Sequence, residues 1–121
     1  MPKSIKSATF QERERRNDKE QGKPLLRLER SLTTENLWIY ILLLLSKKKL
    51  HPYAIVSEMQ THFGWQPGLI TPYVVMYKLA KEGYIKPSQK ERRCYYTITK
   101  KGRTLLNKAK ERFQKIMEIF E

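Results

Sequence analysis

Thr71-Pro-Tyr-Val-Val-Met-Tyr-Lys-Leu-Ala-Lys-Glu-Gly83-Tyr-Ile-Lys-Pro87-Ser-Gln-Lys90-Glu-Arg-Arg93-Cys-Tyr-Tyr-Thr-Ile98-Thr-Lys-Lys-Gly102 is the stretch on which the fold turns. Thr71 can cap a helix whose first residue is Pro72, a residue tolerated in a first turn. At about 100° per residue, Tyr73, Met76, Leu79 and Ala80 share one face, and Thr71, Val74, Val75, Lys78 and Lys81 the opposite one. The first set predicts an inward face and the second an outward one, with Tyr77 on the flank. Gly83 closes the helix. A strand from Tyr84 to Gln89 follows, in which Pro87 lacks an N–H and so requires an edge position or an irregularity. Beyond the basic tip, Lys90 to Arg93, the residues Cys94, Tyr96 and Ile98 alternate with Arg93, Tyr95 and Thr97. One of these faces packs inward; the other meets solvent or phosphate.

Upstream, a capping residue near Ser31-Leu32-Thr33-Thr34 precedes the apolar run Leu37 to Leu45, and Ser46-Lys47-Lys48-Lys49 ends it. This reads as the central buried helix. The lysines favour the negative end of its dipole, with DNA contact as the alternative. Pro52 opens a second helix with Ile55, Val56, Met59 and Phe63 on its inner side and Gly64 as a left-handed stop. Downstream of Thr99, a last helix carries Leu106, Ala109, Phe113, Ile116 and Phe120 at heptad-like spacing. That spacing suits packing within the chain as well as between two copies; Met117 and Ile119 widen the apolar surface beyond what one short neighbour would cover, which favours a dimer seam.

The chain has 121 residues, room for one domain plus a tail. Twenty-five Lys and Arg against twelve Asp and Glu leave a net charge of +13, which points to a polyanionic partner, nucleic acid before an anionic membrane surface. Residues 1–30 hold nine basic and five acidic residues, only +4 of that excess, so the folded part is itself cationic. The run Gln11 to Gln21 shows no apolar stripe, and residues 1–30 are expected to be a charged flexible extension or at most a solvated helix, with Arg13, Arg15, Arg16 and Lys19 adding sequence-independent attraction and Leu25, Leu26 and Leu28 able to dock. The apolar run from Leu37 to Leu45 is far short of the roughly 20 residues of a membrane helix. A secretory signal is not expected, and a cytoplasmic, nucleoid-associated protein is.

Enzyme chemistry lacks its parts. One cysteine and two histidines make neither a disulfide nor a clustered metal site, and no glycine loop cradles phosphate. His51 and His62 read as structural or solvated, and Cys94 as a small buried strand residue. No catalytic residue, cofactor or metal is expected. The nucleic-acid case rests on arrangement. A helix presenting Thr71, Val74, Val75 and Lys78 can enter a major groove about 12 Å wide, with threonine bonding bases or phosphates and valines meeting thymine methyls. Lys78 and Lys81 suit guanine edges or the backbone, Tyr77 can bond a phosphate or pack under the hairpin, and Lys90, Arg92 and Arg93 are placed to follow the backbone or reach a minor groove. The alternatives are an RNA- or ribosome-associated protein, an architectural protein coating DNA, and a protein-interaction module with an acidic partner.

The order helix, helix, helix, strand, basic tip, strand, long helix resembles the PadR family of winged-helix transcriptional regulators. The residues carrying it are His51-Pro-Tyr-Ala-Ile55, Tyr73-Val-Val-Met-Tyr-Lys-Leu-Ala-Lys-Glu-Gly-Tyr-Ile85 and Arg93-Cys-Tyr-Tyr-Thr-Ile-Thr-Lys-Lys-Gly-Arg103, within a span from Leu32 to Leu106. The expected fold is mainly α with a small β-hairpin wing, a winged helix-turn-helix over 31–98 followed by a dimerisation helix over 99–121. The resemblance implies inward Tyr73, Met76 and Leu79, a homodimer joined through the C-terminal helix, repression at a palindromic site in double-stranded DNA, and often release by a small molecule. The sequence runs little past that helix, as in the shorter members, so a separate effector domain is not expected. The charged N-terminal extension lies outside the family pattern.

Overall fold

The computed structural model describes residues 22–65, 68, 70–90 and 92–121. Helix α1 covers Lys23–Ser31, a 3-10 turn Thr34–Asn36, α2 Leu37–Leu45, α3 Pro52–Phe63 and α4 Thr71–Lys81; strands β1 (Ile85–Lys90) and β2 (Arg93–Ile98) follow, then α5, Lys100–Ile119. The architecture is mainly helical with a two-stranded antiparallel hairpin, as expected.

α2 is apolar over most of its surface because α3, α4, α5 and β2 pack against it, with Ile39 and Leu43 left half-buried. Leu37, Ile41, Leu42, Leu44 and Leu45 are buried, and Ile55 and Met59 of α3 with Met76 of α4 complete the centre. Each such side chain contributes roughly 1.5–3 kcal/mol on leaving water. The entry to α2 differs from the expected cap. Ser31 closes α1 instead, and Asn36 sits at the cap position without capping: its amide donates to the Ser31 carbonyl (2.6 Å) and accepts from Trp38 Nε1 (3.2 Å). The boundary drawn at 30/31 thus falls inside a helix, with Leu26 buried and Leu25 and Leu28 exposed. Residues 23–30 are helical, whereas residues 1–21, with Arg13, Arg15, Arg16 and Lys19, lie outside the described residues.

His51 caps α3 by accepting a hydrogen bond at Nδ1 from Ala54 N–H (3.3 Å), and Gly64 ends the helix at φ 73°, a conformation that favours glycine. His62 is exposed and pairs with Glu58 one turn earlier at 2.7 Å. At the end of α4, Gly83 has φ 86°; its N–H reaches the Ala80 carbonyl (3.1 Å) and that of Tyr84 reaches Leu79 (2.9 Å). That pair of bonds satisfies the last carbonyls and turns the chain into β1.

The hairpin runs in register from Ile85 opposite Ile98 to Lys90 opposite Arg93. Tyr96 exchanges both backbone hydrogen bonds with Leu50, 2.8 Å and 3.2 Å, so β2 is flanked on its second side by the α2–α3 loop. In an antiparallel ladder a residue that bonds one neighbour leaves the other unbonded at that level. Pro87 lies opposite Tyr96, where no N–H is needed, and β1 is the edge strand that its proline required.

Candidate nucleic-acid interface

α4 supplies the first surface. Its inner stripe is Pro72, Val75, Met76, Leu79 and Ala80, with Pro72, Met76 and Leu79 buried and Val75 and Ala80 packed against the core. Its outer face presents Thr71, Tyr73, Val74, Tyr77, Lys78 and Lys81. The wheel places Tyr73 inside and Val75 outside; the helix is turned by less than one residue step, so Tyr73 is 41% exposed and Val75 half-buried. The cause is Pro72, which takes an inner position that the wheel leaves out. Thr71 is not the cap either: Ile70 holds that place and no side chain caps the helix, so the Thr71 hydroxyl is not committed there.

Tyr77 is 64% exposed, which removes the alternative that its ring is packed under the hairpin. Ile70, 73% exposed, adds an apolar side chain at the same helix entrance. Sequence reasoning passes over Ile70 and misplaces Tyr73; the burial of Pro72, readable from its place beside the cap, was the signal for both.

The hairpin supplies the second surface. Arg92, Arg93 and Cys94 are exposed, and Lys90 is paired in register with Arg93. The sequence predicts a buried Cys94. It lies on the inward-facing register but at the tip end of the ribbon, opposite Gln89, where it is exposed. Burial on that register starts with Tyr96 and Ile98, both packed against the core.

The apolar residues of α5 divide into two groups. Leu106 packs on the core and Ala109 is half-buried, whereas Phe113, Ile116, Met117, Ile119 and Phe120 are exposed. An open groove of about 990 Å³ runs between Ile39 and Leu43 of α2 and Leu106, Phe113 and Met117 of α5. Among the described residues, no cluster of His, Cys, Asp and Glu is arranged to hold a metal, and no helix is long and apolar enough to cross a membrane.

The profile of the transcriptional regulator PadR-like family matches residues 41–108, more than half of the chain. The chain belongs to the PadR family. The matched span runs from the centre of α2 through α4 and the hairpin into α5, close to the span of the sequence resemblance. Among solved structures, a transcriptional regulator from Clostridium thermocellum is 26% identical with a TM-score of 0.63, covering 69% of this chain and 84% of its own. Bacillus subtilis PadR, solved in complex with operator DNA, is 30% identical with a TM-score of 0.54, covering 60% of this chain and 45% of its own. A PadR-family regulator from Clostridium difficile, 23% identical with a TM-score of 0.60 over 68% of this chain and 91% of its own, shares the fold. No curated protein matches. As a PadR-family member the protein is a DNA-binding transcriptional regulator and not an enzyme.

Proposed function

We propose that this PadR-family protein is a cytoplasmic homodimeric repressor that reads a palindromic site in double-stranded DNA, with α4 in the major groove and the tip 90–93 on the backbone or in the minor groove. The observation that carries the reading is the outer face of α4: Thr71, Tyr73, Val74, Tyr77, Lys78 and Lys81 stand in solvent without an acidic residue among them. Hydroxyls and lysines there suit bases and phosphates, and Val74 suits thymine methyls. Val75 contributes by holding the helix on the core. The relative from Bacillus subtilis was solved on operator DNA, which supports the same use of this fold.

Dimerisation through α5 is supported by the exposed row Phe113, Ile116 and Phe120, with Leu106 and Ala109 at its inner end. Two-fold symmetry then sets two half-sites about 34–36 Å apart. Selection of bound duplexes from a random pool tests the proposal. A symmetric motif is expected; a bare AT or GC preference would make the protein architectural, and competition by RNA at equal strength would overturn the assignment to duplex DNA.

A further inference from the structure

The register of the hairpin sorts its residues into two faces, since directly opposite residues of an antiparallel pair point the same way. Ile85, Pro87, Tyr96 and Ile98 share the face turned to the core. Lys86, Ser88, Arg93, Tyr95 and Thr97 share the other, and neither strand contains an aspartate or glutamate. Lys86 and Arg93 are exposed.

The α2–α3 loop adds to this outer face. Its bridge from Leu50 to Tyr96 lays the loop along β2, and Lys49 Nζ stands 5.3 Å from the centre of the Tyr95 ring. Tyr95 is in turn braced by the His51 ring at 6.1 Å, edge to face. The lysine is exposed and lies beyond the α2 cap at Ser46, outside the last turn, where the dipole argument for its presence is weakest. A cation over an aromatic face is held there while its ammonium stays available to an anion.

We propose that this outer face is a phosphate track, in which Lys49, Lys86 and Arg93 contact the DNA backbone beyond the bases read by α4 and Tyr95 positions Lys49. Arg93 and the level of Lys86 are four residues apart along the ribbon, about 13 Å. Three cations over that length match several phosphates, which a duplex strand presents about every 3.4 Å of axis. The track rests on the operator-binding reading and lengthens the footprint rather than adding base specificity, because phosphate contacts carry register and affinity but no sequence information.

Salt-dependent titration of the full chain by fluorescence anisotropy tests it, on a duplex carrying the selected site with long flanks and on one trimmed to the site. With long flanks, the double variant Lys49→Ala/Lys86→Ala is expected to lower the slope of log K against log [salt] by about 1.8, roughly 0.9 for each phosphate that is no longer neutralised. On the trimmed duplex it should match the wild type. Tyr95→Phe keeps the ring and should keep the slope, whereas Tyr95→Leu should lower it by about 0.9. An unchanged slope on the flanked duplex, while Lys78→Ala still weakens binding, overturns the track and leaves the operator reading standing. A wild-type protein that binds no duplex overturns both.

Discussion

The carbonyl oxygen of Tyr84 occupies the space that a side chain at Gly102 would need. A Cβ at residue 102 would overlap that oxygen and lie 2.9 Å from Ile98 Cγ1. The contact is close because Thr99 ties α5 to the end of α4: its N–H donates to the Tyr84 carbonyl (3.1 Å), its hydroxyl lies 2.6 Å from the Gly83 carbonyl, and Oγ1 accepts from Gly102 N–H (3.0 Å). Gly102→Ala is therefore expected to destabilise the protein by roughly 1–3 kcal/mol, as overpacking does. Urea denaturation measures it, and a change under about 0.5 kcal/mol, the range of a neutral surface substitution, would show that α5 moves away freely.

Tyr73 and Val75 distinguish the two possible rotations of α4. Val75→Ala removes two methyl groups packed on the core and should cost about 1 kcal/mol of stability. Tyr73→Ser should change stability by no more than about 0.5 kcal/mol while weakening DNA binding. Paired denaturation and gel-shift measurements would reveal the opposite pattern if the rotation were that of the sequence wheel.

Two phenols make stability depend on alkaline pH. Burial holds Tyr40 above its ordinary value of 10.0. Burial does the same to Tyr96, and negative charge on Cys94 raises it further. The folded values exceed the unfolded ones, so the stability linked to these groups is complete below about pH 10 and is lost as pH rises through the folded values. The Tyr40 hydroxyl also donates to the Leu32 carbonyl, a bond that tyrosinate cannot make. Ultraviolet titration of the seven tyrosines should show a late-ionising class that Tyr40→Phe reduces. Identical titration in folded and denatured protein would contradict the burial of both rings.

Lys78→Ala and Arg92→Ala test α4 and the tip separately. Each should reduce the salt slope of DNA binding by about one if it neutralises a phosphate. If Lys78 instead meets a guanine edge, its loss costs about 1–3 kcal/mol on the selected site and little on a scrambled one. Unchanged affinity in both variants would exclude this surface.

Phe113 and Ile116 test the dimer. Changing both to Asp removes exposed apolar area without touching the buried core, so the helical signal should persist. Sedimentation equilibrium is expected to show a dimer for the wild type and a monomer for the variant. A monomeric wild type would leave the groove along α5 without the proposed second copy.

How much of this could be read from the residues alone depends on how local the cause is. The α2 apolar run, Gly64 and Gly83 as helix stops, and Pro87 as an edge residue all express short-range chemistry, and each occurs where the sequence placed it. The candidate surface was read less completely. Lys78, Lys81, Arg92 and Arg93 are charged and face solvent for that reason, whereas Ile70 and Tyr73 are apolar or amphipathic and their exposure depends on what packs nearby.

The residue order was enough for the succession of elements from α2 to α5, the basic tip and the family, because helix periodicity, strand alternation and turn chemistry act within a few residues. Packing alone settled the rotation of α4, the exposure of Cys94, the docking of Leu50 on Tyr96 and the approach of Tyr84 to Gly102. Each of those joins residues from separate elements or depends on where the body of the protein ends, and nothing in the spacing along one helix or strand records the shape of the surface it meets.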